Sequence, residues 1–309
     1  MFGVTPAISV FGVVGNIFSI IVLIKRGMRK CSNILLVSLA FSDITFLISF
    51  NSVPKIIYEA VWNHEYVGYS RKDTDILFIT FNIFTVFDYS FGMMGLTIPM
   101  LITLERIVVI FFPLNFRRII TPRRTWLSVA GVAVFWVSVV APSCFWLEVS
   151  FTVDPYRNIS TGIIQRTTSY HQNLAAVSAL EDLIIFTCYV IPLVFTVLGS
   201  LVISVKVRVH SAQRKKLTSG RGSGNRTTKT LLAVCTIYTV TTAFYTLPLY
   251  VPQYASSSLT DESPTNMGKI YYQIANIVLC VNGSSNFVVY VALNKTFRDT
   301  YKGLFKRSR

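Results

Sequence analysis

The chain has 309 residues, of which 52% are hydrophobic and only 14% are charged, and its formal net charge at pH 7 is +15. A soluble domain carries about 25% charged residues, so this composition indicates a protein that is surrounded by lipid. The basic residues lie in short clusters between long apolar runs, which argues against the single basic face of a nucleic-acid-binding protein.

Seven apolar runs are long enough to cross a bilayer as helices. A crossing takes about 20 residues, because an unpaired backbone group in hydrocarbon is costly. We therefore predict an all-α membrane protein, with one domain over residues 1–309 that forms a seven-transmembrane helix bundle. The predicted spans cover residues 7–24, 33–54, 81–112, 126–146, 183–205, 231–254 and 270–293.

The segment that follows the last span has helical periodicity. Between residues 295 and 306, the apolar residues Phe297, Tyr301, Leu304 and Phe305 recur at helical spacing among basic residues. This pattern predicts an amphipathic helix that lies on the anionic cytosolic leaflet. The alternative is a disordered basic tail.

The distribution of Lys and Arg predicts the orientation, because these residues are enriched in cytosolic loops. With the N-terminus outside, the cytosolic segments hold 23 of the 29 basic residues and the exterior segments hold six. We predict a multi-pass plasma-membrane protein with an extracellular N-terminus and a cytosolic C-terminus. Asn158 then lies in the longest exterior loop, within a sequon for N-glycosylation.

Several polar side chains fall at membrane depth, where each is a candidate for function. Asp43 lies in the middle of the second span and Asn16 in the middle of the first. Asn282 and Asn286 lie four residues apart on one face of the last span. These groups predict either a site for a small cation or a proton at Asp43, or a static polar clamp between helices.

Short motifs in separate spans occur in the order found in one receptor family. The motifs are Gly15-Asn16, Leu39-Ala40-Phe41-Ser42-Asp43, Glu105-Arg106-Ile107 with Pro113-Leu114, Trp136, Pro192, Pro248 and Asn286-Phe287-Val288-Val289-Tyr290. With them, the chain resembles the rhodopsin-like (class A) G-protein-coupled receptors over essentially its whole length, and residues 104–125 resemble invertebrate orphan receptors of the FMRFamide type or the chemosensory type.

The resemblance implies partners and activation residues. The partners are an extracellular ligand, a heterotrimeric G protein, arrestin and a receptor kinase. Glu105 and Arg106 resemble the cytosolic acid–arginine motif, in which the arginine is paired at rest and meets the G protein on activation. Tyr290 resembles the tyrosine that swings inward, and Pro248 resembles the bend point of the sixth helix.

The resemblance also implies a sodium-linked polar core that contains Asp43, Asn282 and Asn286, with Asn16 nearby. We expect no other cofactor and no catalytic metal. The chain departs from the family pattern at several positions that concern this core, the exterior disulfide and the activation switch. At five positions this chain has a residue that differs from the one usual in the family. They are Phe81, Gly95, Ser200, Thr246 and Phe287.

Asp88 is the most informative residue for the ligand. It lies 18 residues before Arg106, about five helical turns toward the exterior. In amine receptors of this family, an aspartate at this position pairs with a ligand ammonium. A carboxylate in a partly dry cavity binds a cation more strongly than one in water does. The alternative is a hydrogen bond from Asp88 to a neighbouring helix.

Acidic and aromatic residues near the predicted cavity mouth favour a ligand with positive charge. Glu181 and Asp182 lie at the exterior end of the fifth span, where they would help to steer cations inward. Tyr89, Tyr250 and Tyr272 are candidates for cation–π contacts, although ordinary packing also explains them. We predict a cationic peptide or a small chemosensory ligand, with a monoamine as the alternative.

Other classes of membrane protein fit the sequence less well. A membrane transporter is the main alternative, but the two halves of the chain show no internal repeat. An enzyme needs a nucleophile–base pair or metal ligands, and the three histidines all fall in predicted loops. The sequence therefore predicts a receptor and not an enzyme.

Overall fold

The computed structural model describes residues 4–53, 55–56, 71–154, 159–217, 224–247 and 266–305. Helices make up most of this part of the chain, and eight of them are labelled α1 to α8 here. They are α1 (Val4–Lys25), α2 (Cys31–Phe50), α3 (Arg71–Phe111), α4 (Pro122–Val140, continued by a 3-10 segment Ala141–Phe145), α5 (Leu174–Ile184, a π segment Ile185–Val190, and Ile191–Leu217), α6 (Gly224–Tyr245), α7 (Asn266–Leu293) and α8 (Lys295–Phe305). Single-turn helices occur at Phe116–Ile119 and Thr168–Gln172.

The helices α1 to α5 and α7 are each long and apolar enough to cross a membrane, and the described part of α6 contains a shorter apolar stretch, Ala233–Tyr245. The predicted fold, a seven-helix membrane bundle followed by a further helix, is confirmed. Some helices extend beyond the predicted spans, since α3 begins at Arg71 and α5 at Leu174. A helix can continue into the headgroup layer because its backbone hydrogen bonds are internal.

A β-hairpin in the connection between α4 and α5 departs from the all-α prediction. Strand β1 (Leu147–Asp154) pairs antiparallel with β2 (Ile159–Arg166), with Leu147 opposite Arg166. The sequence of β1 alternates between apolar and polar residues, which is the signal of a strand. The all-α prediction did not take this period-two pattern into account. Asn158 lies outside the described residues.

The small residues of α1 let it approach α7 closely. A Cβ atom at Gly15 would lie 3.0 Å from the Cβ atom of Phe287 in α7. The Ser284 hydroxyl donates to the carbonyl oxygen of Ile8 at 3.1 Å, which joins the same two helices. Close backbone approach at small residues is a principal source of helix association in lipid, where the hydrophobic effect is absent.

The end of α7 and the start of α8 are both capped by side chains. The Asn294 side-chain oxygen accepts the backbone N–H of Phe297 at 3.1 Å, and the Arg298 guanidinium donates to the carbonyl oxygens of Val291 and Ala292. The buried Phe297 ring packs on Tyr290, with ring centroids 5.5 Å apart. The apolar side of this amphipathic helix therefore packs partly on the bundle.

We predict that Gly12→Ala destabilises the bundle. A Cβ atom at Gly12 would overlap the Ser284 hydroxyl and lie 2.7 Å from Leu47 Cδ1, so α1 has to move away from α2 and α7. The free energy of unfolding should fall by about 1–3 kcal/mol, measured by thermal unfolding of the purified protein in detergent. Gly131→Ala in α4 is the matched control, because nothing lies within 4 Å of its Cβ position and alanine favours helix by about 1 kcal/mol. Equal effects of the two substitutions would contradict this packing.

Candidate ligand cavity and activation residues

A small cavity opens among α2, α3, α5, α6 and α7. Its volume is about 60 Å³, which is room for a few water molecules rather than for a peptide. Its polar lining consists of Asp43, Lys55, Asp88, Asn276 and Asn282, together with four tyrosines, Tyr89, Tyr189, Tyr245 and Tyr272.

Asp88 is paired with a lysine of the same chain. The Lys55 ammonium donates to Asp88 Oδ2, and the two residues are 7% and 4% exposed. The ammonium also lies over two rings, 4.4 Å from the Phe50 centroid and 5.6 Å from the Tyr89 centroid. Burial lowers the pKa of Lys55, but the charge of Asp88, its hydrogen bond with Lys55 and the neighbouring Tyr272 and Tyr89 together outweigh burial, so the pKa is raised. Lys55 therefore remains a cation inside the cavity.

This ion pair changes the expected charge of the cavity. Asp88 was predicted to be a negative site for a ligand, and Lys55 is one of the six basic residues of the predicted exterior segments. The structure shows that Lys55 neutralises Asp88, so the pair adds no net charge to the cavity. Lys55 lies a few residues beyond the end of α2, and sequence alone could not show that its side chain turns inward.

One tyrosine of the cavity lining, Tyr189, comes from the π segment of α5. Pro192 has no backbone N–H to complete the preceding helical turn, and a wider π turn at Ile185–Val190 precedes it. This segment includes Tyr189, whose ring stacks on Tyr245 at a centroid distance of 5.1 Å. Neither tyrosine was among the predicted ligand residues, although Pro192 indicated an irregular turn in this helix.

The structure brings together some of the predicted ligand residues. Asp88, Tyr89 and Tyr272 line the cavity, whereas Glu181 and Asp182 in α5 do not line it. Tyr250 and Pro248 lie outside the described residues. The three that line the cavity come from α3 and α7, and the acids of α5 are left as candidates only for steering at longer range.

The predicted polar core forms the floor of the cavity. The Asn286 amide donates to Asp43 Oδ2 at 2.7 Å, and Asn282 also lines the cavity. The Asn16 amide donates to the carbonyl oxygen of Gly283 at 2.7 Å and so joins α1 to α7. These contacts match the polar clamp between helices that the sequence analysis left open.

A sodium ion finds few protein ligands at Asp43. Gly95, one of the nearest neighbours of Asp43, contributes no side-chain oxygen, and a Cβ atom there would lie 3.4 Å from Asp43 Oδ1. The Ser42 hydroxyl donates to the carbonyl oxygen of Leu39 at 2.8 Å. Hard cations prefer several oxygen ligands, so these residues fit a bound sodium ion poorly.

Near the C-terminal end of α3, a serine of α2 bridges the acid–arginine motif. The Ser32 hydroxyl donates to Glu105 Oε1 at 2.7 Å and accepts a hydrogen bond from the Arg106 guanidinium at 2.6 Å. Arg106 and Glu105 also approach within 3.4 Å. Neighbours in a helix do not face each other, so Ser32 supplies the geometry that holds the two charges together. No sequence pattern marked this serine.

Tyr290 of α7 belongs to the main hydrophobic core of the bundle. It is almost fully buried, and its hydroxyl has no hydrogen-bond partner among the described residues. Leaving a buried hydroxyl unpaired costs about 1–3 kcal/mol. This position therefore suits a residue that gains a partner when the helices rearrange.

We predict that Asn286→Ala destabilises the protein by about 1–3 kcal/mol, because buried Asp43 loses its hydrogen-bond donor. Thermal unfolding of the purified protein measures this loss. Asn282→Ala is the matched control: Asn282 is on the same helix and lines the same cavity, but none of the described contacts gives its side chain a hydrogen bond. A loss as large for Asn282→Ala as for Asn286→Ala would contradict the assigned clamp.

Comparison with known proteins agrees with this architecture. A probable G-protein coupled receptor of Caenorhabditis elegans is 23% identical, in an alignment that covers 96% of this chain and 67% of the relative. The family model of the seven-transmembrane receptors of the rhodopsin family matches residues 15–290, from the Gly15-Asn16 pair to Tyr290. The chain therefore belongs to the rhodopsin family of seven-transmembrane receptors.

Proposed function

We propose that the chain, as one receptor domain over residues 1–309, binds an extracellular ligand in the described cavity and activates a heterotrimeric G protein. The observation that carries this proposal is that one helix, α3, contributes both ends of the pathway. Asp88 lines the cavity, and Arg106 lies about 27 Å further along the helix. A change of contacts at Asp88 can therefore be transmitted along a rigid element to Arg106.

The cytosolic face in this proposal includes Arg106, Tyr290 and α8. The positive-inside distribution supports an extracellular N-terminus and a cytosolic C-terminus in the plasma membrane. In that orientation Asn158 is exterior and open to glycosylation. Arrestin and a receptor kinase are the further partners that family membership suggests.

The ligand in this proposal carries positive charge. Asp88 is the cavity carboxylate that already holds an ammonium, and aromatic residues that include Tyr89 and Tyr272 line the same cavity. A cationic peptide or a small chemosensory molecule that inserts a cationic group is our first candidate. A monoamine is the second, favoured by the small volume of the cavity. Family membership leaves the transporter alternative without support.

The resting contact of Arg106 gives a test that needs no ligand. We predict that Ser32→Ala raises ligand-independent G-protein activation, because it removes the hydroxyl that holds Arg106 against Glu105. Nucleotide exchange on purified G proteins in receptor membranes measures this effect, and Arg106→Gln should abolish the exchange. Ser38→Ala is the control, since among the described residues the Ser38 hydroxyl donates a hydrogen bond to the carbonyl oxygen of Ile34 in the same helix. Exchange that is the same in all four proteins, with and without screened ligands, would contradict the proposed function.

The role of Asp88 can be tested with a ligand screen against amidated peptides, monoamines and odorant-like molecules. For any cationic agonist, we expect Asp88→Asn to reduce potency by about 10-fold to 100-fold, since a hydrogen bond to a charged group contributes about 1.5–3 kcal/mol. Asn282→Ala, which changes the floor of the cavity without removing a charge, serves as the control. An unchanged potency in Asp88→Asn would show that this aspartate has only a structural role.

A further inference from the structure

We propose that Lys55 is a built-in occupant of an ammonium site, and that a ligand binds by displacing the Lys55 ammonium from Asp88. This inference rests on the proposed receptor function, in which the same cavity receives the ligand. It adds the chemical class of the recognised group, a primary alkylammonium, and a resting state in which the protein fills its own site.

The surroundings of the Lys55 ammonium are those of a ligand cation. One carboxylate oxygen of Asp88 accepts from it, and the rings of Phe50 and Tyr89 lie within cation–π range. The donor, the acceptor and the rings are contributed by α3 and by the exterior end of α2. A free alkylammonium of the same length would find the same partners.

The cavity volume supports occupation from within. With Lys55 in place, only about 60 Å³ remains open, whereas sites for small-molecule ligands usually measure about 300–1,000 Å³. Withdrawal of the lysine side chain would enlarge the cavity next to Asp88. The resting structure is therefore closed to larger ligands by a side chain that is itself exchangeable.

The position of Lys55 allows its release. It lies five residues after Phe50, the last residue of α2, at the predicted exterior end of that helix. A lysine side chain is long enough to keep its stem in an apolar region while its ammonium reaches water. A ligand ammonium can therefore replace Lys55 on Asp88 while the displaced Lys55 ammonium reaches water, so that no unpaired charge stays buried.

Chemical rescue tests this inference directly. The variant Lys55→Ala lacks the propylammonium part of the side chain, so n-propylamine, protonated at neutral pH, is the matched probe. We expect millimolar n-propylamine to raise the melting temperature of purified Lys55→Ala by about 5 °C. Wild-type protein should need at least about tenfold more, because the tethered ammonium competes at a high effective concentration.

Two controls separate charge from volume. 1-Propanol has a similar shape without the charge and should leave the melting temperature of Lys55→Ala unchanged. The double variant Lys55→Ala/Asp88→Asn retains the space but lacks the carboxylate, and should not respond to n-propylamine. The inference is overturned if n-propylamine gives no shift, if 1-propanol gives the same shift, or if the double variant responds equally.

A second measurement covers poor folding of the variant. If Lys55→Ala is retained in cells, n-propylamine in the medium should restore its surface expression, and 1-propanol should not. Absence of restoration together with absence of a thermal shift overturns the proposal. Neither readout involves a G protein, so the two proposals can fail separately. Rescue by n-propylamine, together with nucleotide exchange that is the same in wild type, Ser32→Ala, Arg106→Gln and Ser38→Ala with and without screened ligands, would contradict the signalling function and still support the ammonium site.

Discussion

The ion pair between Lys55 and Asp88 determines the state of the ligand cavity. A single buried charge is costly, and a buried pair is tolerated because each charge neutralises the other. The pair joins the exterior end of α2 to the middle of α3 and fills the space beside four tyrosines. Removal of either partner leaves the other charge in an apolar environment, so the neighbouring helices have to respond.

The helix α3 connects this ion pair to Arg106 near its C-terminal end. Asp88 and Arg106 are parts of one continuous helix, and both are held by contacts to the region of α2, through Lys55 at one end and Ser32 at the other. Two points of α3, one near its middle and one near its C-terminal end, are therefore fixed relative to the same neighbour. In the proposed function, a ligand that releases the Lys55 contact removes one of these two attachments of α3 to the region of α2, which would link binding at Asp88 to Arg106.

Much of the architecture could be predicted from the sequence, because long apolar runs and helical periodicity are local properties. Asp43 and Asn286 were also recognised, since a polar residue inside an apolar run is conspicuous wherever its partner lies. The hairpin of β1 and β2 was overlooked, although its alternating pattern is visible in the sequence.

The contacts that define the site were harder to predict. Lys55 is the one lysine in the sequence between residues 51 and 70, and only tertiary structure brings its ammonium to Asp88. Ser32 is a serine among several in α2, and its role depends on the side-chain direction of Arg106. Tyr189 lies in a π turn, where the spacing of residues around the helix differs from that of an α-helix. The face on which Tyr189 lies therefore differs from the one that ideal helical spacing predicts. These residues act through long-range packing, which leaves no local pattern.

A double-mutant cycle on the ion pair tests the central claim most directly. The free energy of unfolding would be measured for wild type, Lys55→Met, Asp88→Asn and the double variant. The account predicts that each single variant is destabilised by about 3–5 kcal/mol, and that the double variant recovers most of this loss, so that the coupling energy is about 3 kcal/mol or more. Additive losses, with a coupling energy near zero, would contradict it.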